Sequence, residues 1–175
     1  MTNSFPANIK IGGTITINTI EEREEVENLL QIFANSTGEK YGEPFWGTME
    51  IKDVDGILED GYLVGVDSEA SDGEFLELEG FCQQLGVAYT RHSSPSDEYN
   101  AEIVEWRPDM EVSFIAVCDD NGDLYVPRSA VDRALDLIKE GSIQEAVAVL
   151  QKELGENIPP LEPFKIVDNA PSEDD

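Results

Sequence analysis

Residues 8–17 read Asn-Ile-Lys-Ile-Gly-Gly-Thr-Ile-Thr-Ile, and Thr19-Ile20-Glu21-Glu22 follows almost at once. The first stretch is β-branched and alternates apolar with polar positions, the period of a half-buried strand. Gly12-Gly13 interrupts it and reads as a bulge. The second stretch changes period. Thr19 and Glu22 form a capping box, and Val26, Leu29, Leu30 and Phe33 then recur at helical spacing as far as Ser36. The chain therefore opens with a strand that feeds a helix.

Working outward, the segments Trp46–Asp53 and Ile57–Asp67 are predicted to be strands joined by a hairpin turn at Asp55-Gly56. Asp72 is predicted to cap a second helix that carries Phe75, Leu78, Phe81, Cys82 and Leu85 on one face and stops at Gly86. Val87–His92 is the next strand. The resulting order, βαββαβ, is the ferredoxin-like pattern: an α+β fold with an antiparallel sheet and both helices on one side.

The remainder is predicted to be an extension of that core. Ser93–Asn100 is a polar loop. Ala101–Trp106 and Val112–Cys118 are strands, and Asp120-Asn121-Gly122 turns the chain back into Leu124-Tyr125-Val126. Two short helices follow. The first is capped by Ser129, carries Val131, Leu135 and Ile138, and ends at Gly141. The second begins with a Ser142/Glu145 capping box, carries Ala146, Val149 and Leu150, and ends at Gly155. Residues 156–167 form a proline-rich arm expected to pack back through Leu161, Phe164 and Ile166. In this reading 8–167 is one domain, with core 8–92 and β-hairpin and helix-pair extension 93–167. Residues 1–7 and the acidic tail 168–175 are expected to be disordered.

Charge is the outstanding property. The 175 residues hold 38 acids and 11 bases, a net charge of −27. Such a charge favours solubility and opposes self-association. It also argues against direct binding to nucleic acid or to an anionic membrane, whose phosphates need cations opposite them. No basic residue occurs between Lys52 and Arg91, a stretch with ten acids. The first helix adds Glu21, Glu22, Glu24, Glu25 and Glu27 around the single Arg23. No apolar run reaches the length of a membrane span, and the N-terminus lacks the basic and apolar regions of a secretory signal. Cys82 and Cys118 sit in apolar surroundings and read as buried thiols of a reducing compartment, which places the chain in the cytoplasm.

Sites of catalysis are weakly indicated. Asp119, Asn121 and Asp123 resemble the first ligands of an EF-hand loop, but Leu124 stands where glycine is needed and Ala130 where a bidentate glutamate is needed. The turn reading therefore prevails. Gly12-Gly13 lies in neither GxxxxGK[ST] nor GxGxxG, and Glu21 and Glu22 at the next helix start would repel phosphate. His92 is the only histidine; it reads as a strand-end residue. A couple with Cys82, Cys118, Ser93 or Ser94 would require folding to assemble it. Trp46 and Trp106 read as sheet or core residues, and Arg107-Pro108-Asp109 as a turn with an ion pair. No cofactor, metal site or catalytic residue is assigned.

Basic proteins, polyamines and divalent cations are the natural partners of such a surface, and the composition points to a non-enzymatic protein that binds a basic protein, nucleic-acid-binding proteins being one such class. Carboxylates three and four apart on a helix are separated by about 5–6 Å, comparable to the phosphate spacing along a DNA strand. The expected contact surface is Glu21, Glu22, Glu24 and Glu25 with Asp72, Glu74, Glu77 and Glu79. Two alternatives stand beside it. The acidity can serve solubility or salt adaptation in an interaction domain, or clustered carboxylates and His92 can serve a hydrolase.

Overall fold

The computed structural model describes residues 3–37, 49–96, 99–119 and 121–171. It is a mixed α+β structure built on a five-stranded antiparallel sheet. The sheet strands are β1 (Ser4–Gly12), β3 (Leu63–Ser71), β4 (Ala88–Ser93), β5 (Ala101–Trp106) and β6 (Phe114–Cys118), in the order β3-β1-β4-β5-β6. A short strand β2 (Thr14–Ile17) leaves this sheet and pairs in parallel with β7 (Lys165–Asp168). The helices are α1 (Ile20–Ser36), α2 (Leu76–Leu85), α3 (Arg128–Lys139) and α4 (Ile143–Glu153), with a 3-10 helix at Ile51–Gly56.

Alternation along β1 sorts the sheet faces. Phe5, Ala7, Ile9 and Ile11 are buried, whereas Ser4, Pro6 and Asn8 are exposed. Ala7, Ile9 and Ile11 of this row meet Leu29, Leu30 and Phe33 of α1 and Leu78 and Cys82 of α2 in one apolar cluster. Each fully buried Leu or Ile there contributes roughly 1.5–3 kcal/mol. Trp106 and Tyr89, opposite each other on β5 and β4, stack with ring centroids 6.2 Å apart and extend the cluster.

Register fixes the direction of the helices. Ser71 pairs with Ser4, and Ala88 pairs with Gly12. So α2, which joins them, starts at the Ser4 end of the sheet and finishes at the Gly12 end. It links two parallel strands that enclose β1. Helix α1 starts beyond the Gly12 end, after β2, and its C-terminal Phe33 and Thr37 lie beside Gly65 of β3. The two helices thus run in opposite senses along the same face.

Several expectations need correction. The strand predicted for Trp46–Asp53 is a 3-10 helix from Ile51; residues 46–48, Trp46 included, lie outside the described residues. Asp55-Gly56 ends that helix rather than turning a hairpin. Ile51, Val54 and Ile57 recur every third residue, the 3-10 period, and Glu50 and Asp53 cap one another. Strand β3 begins at Leu63, and β1 begins at Ser4 rather than Asn8. Asp72 does not cap α2: it sits at φ 53° in the turn before it, followed by Gly73 at φ 70°. The residue before α2 is Phe75, whose N–H is met from below by the Glu79 carboxylate at 3.1 Å. Helix α3 starts after Pro127 rather than after a Ser129 cap, and Ser142 precedes α4 without a side-chain cap. Leu124 makes an isolated bridge to Cys118 instead of starting a strand.

The Thr19/Glu22 capping box forms as the sequence predicts, Gly86 ends α2 in the left-handed region, and β5 spans Ala101–Trp106. The proline-rich arm packs back across the Gly12 end of the sheet. Glu162 accepts from Gly13 N at 2.8 Å, Leu161 accepts from the Tyr62 hydroxyl at 3.0 Å, and Phe164 is buried. A Cβ on Gly12 would run into the Glu162 carbonyl and lie 2.8 Å from Leu161 Cγ, so glycine is required for this approach. The glycine pair thus seats the arm.

Candidate functional site

The eight carboxylates expected to form the contact surface fall into two groups. Glu21, Glu22, Glu24 and Glu25 occupy the start of α1, next to the β2–β7 pair. Asp72, Glu74, Glu77 and Glu79 occupy the start of α2, at the Ser4 end of the sheet. Because α1 and α2 run in opposite senses on one face, these groups lie toward opposite ends of the helical layer.

They also differ in what their carboxylates do. Glu22 Oε2 accepts from Asn18 N at 2.6 Å and from Thr19 N at 3.3 Å, closing the N-terminus of α1. Asp72 accepts from Asn3 N at 3.2 Å. Glu79 accepts from Phe75 N and lies 2.9 Å from Arg91 Nε. Glu74 is partly buried; desolvation pushes its carboxyl above the ordinary range, against the opposing pull of Arg91. Glu22, Asp72 and Glu79 hold the fold together, and Glu74 is drawn partly out of solvent beside them. Glu21, Glu24, Glu25 and Glu77 are exposed, and the described residues give none of them an ion pair. They are the carboxylates available to a partner.

The basic residues complete the picture, and their placement was missed by the sequence reading. Arg91 is buried on the helix-covered face, where Tyr89, Arg91 and Ser93 share one side of β4. Its Nη1 donates to the Gly73 carbonyl at 2.6 Å, and its Nη2 donates to Glu102 at 2.9 Å. Arg107 is buried at the far end of β5. It donates to the carbonyls of Tyr89 (2.7 Å), Trp106 (2.9 Å) and Pro159 (2.9 Å), and its ion pair is with Glu105 rather than Asp109. Burial lowers its pKa, and Glu105 opposes that shift. Arg23 is held by Asp168 at 2.9 Å and by the carbonyls of Ala170 and Pro171. A basic residue in the inward register of a strand was the available signal for a buried ion pair.

The catalytic constellations do not assemble. His92 pairs across the sheet with Asn8 and Ile103, on the face opposite α1 and α2 and their acids. No hydrogen bond joins its side chain to Cys82, Cys118, Ser93 or Ser94, and its Nε2 has no partner among the described residues. Both cysteines are buried and no disulfide joins them, and burial pushes the Cys82 thiol up to about 12. A cavity of about 240 Å³ is lined by Pro95, Asn100, Ala101, Cys118, Asp119, Asn121 and Tyr125. The carboxylate among its described lining residues is occupied: Asp119 Oδ1 accepts from Asn121 N at 2.8 Å and Asp123 N at 2.9 Å, which holds its pKa down. Asp119 is therefore bonded to its own chain neighbours Asn121 and Asp123, and no group of three metal-ligating side chains occurs among the described residues. Among the same residues, no helix is long and apolar enough to cross a membrane.

Comparison of the chain with family models, with curated protein sequences and with solved structures gave no match.

Proposed function

We propose that the chain is a non-enzymatic binding protein whose acidic helical layer engages a basic protein, with nucleic-acid-binding proteins as the partner class. It would act as a decoy that occupies a phosphate-binding groove. One observation carries this reading. Arg91 is withdrawn into the core and Arg23 is tied to Asp168. The surface of α1, α2 and β3 is left with exposed Glu21, Glu24, Glu25, Glu69 and Glu77 and few cations to offset them. A field of one sign accelerates encounter with an oppositely charged partner and is weakened by salt. The two acidic groups imply contact at two separated points rather than along one continuous row.

The test is affinity capture from the host's lysate with the wild-type chain and with the quadruple variant Glu21→Lys, Glu24→Lys, Glu25→Lys, Glu77→Lys. The expected partner is a basic protein held at low salt, released at high salt and displaced by duplex DNA. The variant should not hold it. Retention of the same partner by the quadruple variant would end this reading.

Two finer structural readings accompany the proposal. The core is taken as a ferredoxin-like derivative, supported by β3-α2-β4 enclosing β1, with 93–167 as an extension of the same domain. A reducing cytoplasmic location is supported by the burial of Cys82 and Cys118 without a disulfide between them.

A further inference from the structure

Helices α3 and α4 pack chiefly on each other. Their buried residues are small: Ala130, Ala134 and Ala146. Alanines let two helix backbones approach closely and mark the seam between them. Beside that seam each helix carries an aliphatic stripe, Val131, Leu135 and Ile138 on α3 and Ile143 and Val147 on α4, continued by Leu154 at its C-cap. These side chains are between 37% and 62% exposed. On each helix the stripe lies roughly a quarter-turn round the axis from the buried alanines, in the same rotational sense. In an antiparallel pair, equal offsets of one sense place both stripes on the same side. The hairpin thus presents six aliphatic side chains on one continuous surface.

Its charge separates it from the rest of the molecule. Residues 128–153 hold four of the 11 bases and five of the 38 acids, a net charge of −1 that leaves −26 on everything else. Along the outer rim of the α3 stripe, Arg128 pairs with Asp132 at 3.6 Å and Lys139 with Asp136 at 2.7 Å. The corresponding rim of α4 is Gln144, Ala148 and Gln151, which carry no charge.

We propose that this surface is covered by a second copy of the chain, the two hairpins forming an antiparallel four-helix bundle about a two-fold axis. Charge selects this occupant. A basic partner is drawn to the carboxylates and gains nothing from a neutral surface. Two copies of a chain at −27, by contrast, can meet closely only where their own charge is cancelled. An isologous contact needs only one such patch. The rim is also self-complementary, since antiparallel α3 helices bring the Arg128/Asp132 pair of one copy toward the Asp136/Lys139 pair of the other. The proposal stands apart from the basic-partner reading and uses none of its residues.

Sedimentation equilibrium of the full chain tests it, from ~1 to ~200 µM at ~50 and ~500 mM NaCl, because screening acts on the repelling remainder of the two copies. The expected result is a monomer–dimer equilibrium that tightens at least about threefold at the higher salt. Leu135→Glu with Val147→Glu should raise the dissociation constant by about tenfold or more. Both sites are exposed, and an unchanged urea midpoint would confirm that the variant folds. Monomer throughout at both salts overturns the proposal. So does a dimer that the double variant leaves intact. Capture of a different protein on this face of a monomeric chain, lost in the double variant, would assign the surface to that protein and equally overturn it.

Discussion

Replacing Arg91 with methionine removes the one cation that the described residues place inside the helix-covered face. The side chain is 4% exposed and touches Glu79, 13% exposed, and Glu102, 34% exposed. Its loss leaves two carboxylates facing each other without a counterion, and the Gly73 carbonyl without its donor. Removing one partner of a buried pair costs about 3–5 kcal/mol. The partial exposure of Glu102 sets this case at the low end, about 3 kcal/mol, because water stabilises part of that carboxylate. The abandoned carbonyl adds about 1 kcal/mol. A total of about 4 kcal/mol is a large share of the 5–15 kcal/mol typical of a domain. It lowers the melting temperature by roughly 10 °C for a chain of this size. Urea unfolding followed by tryptophan fluorescence reads the loss directly. Adding Glu79→Gln and Glu102→Gln to Arg91→Met should restore a substantial part of it, since the penalty is unpaired charge rather than lost volume. A loss below about 1 kcal/mol in Arg91→Met would refute the reasoning. So would a triple variant no more stable than the single one.

Three further outcomes follow from particular contacts. Gly12→Ala should destabilise by about 2–3 kcal/mol through overpacking against the Glu162 carbonyl and Leu161, and limited proteolysis should then cut within 156–164 sooner than in the wild type. Glu74→Gln should stabilise at pH 7 by ~0.5 kcal/mol or less, the value expected for a group that solvent still reaches. The sign follows from the raised folded-state pKa of Glu74. The stability it contributes is complete below the unfolded value and is lost as pH rises through the folded one, so the advantage of Gln should vanish in acid; denaturation curves at both pH values check it. Cys82 should resist a thiol reagent in the native protein and react only on unfolding, since burial raises its thiol to about 12; rapid labelling without denaturant would contradict its burial.

What could be read from the chain was what short-range chemistry specifies. Thr19 and Glu22 close the start of α1 through bonds within four residues, and Gly86 ends α2 by its backbone freedom alone. The misreadings share a different cause. Ile51, Val54 and Ile57 fit a strand only if the three-residue period is overlooked. Asp72 has the side chain of a cap, yet Asp72-Gly73 is a turn pair, and both residues adopt positive φ. The pairing of β2 with β7 joins residues some 150 apart, and nothing local to either strand encodes it. Within the candidate site, residue type identified the acids but not their duties. Glu22, Asp72, Glu74 and Glu79 look like Glu21, Glu24, Glu25 and Glu77 until the N–H groups and the guanidinium beside them are placed.

The distribution of charge links the two surfaces. A molecule at −27 could have spread its 11 bases evenly. Instead two arginines are buried as clamps, Arg91 on the α2 turn and Arg107 on the arm, and four bases sit on the helical hairpin among nearly equal acids. The core clamps deepen the negative field over α1, α2 and β3, while the hairpin cancels it locally. On the two proposals, these regions respond to salt in opposite ways. Screening weakens attraction of a basic partner to the carboxylates, and it strengthens approach of a second copy by reducing repulsion between the remaining charges. Association measured against ionic strength separates the two surfaces before either partner is known. The quadruple charge reversal on α1 and α2 should abolish the first response and leave the second, and the Leu135/Val147 double variant should do the reverse.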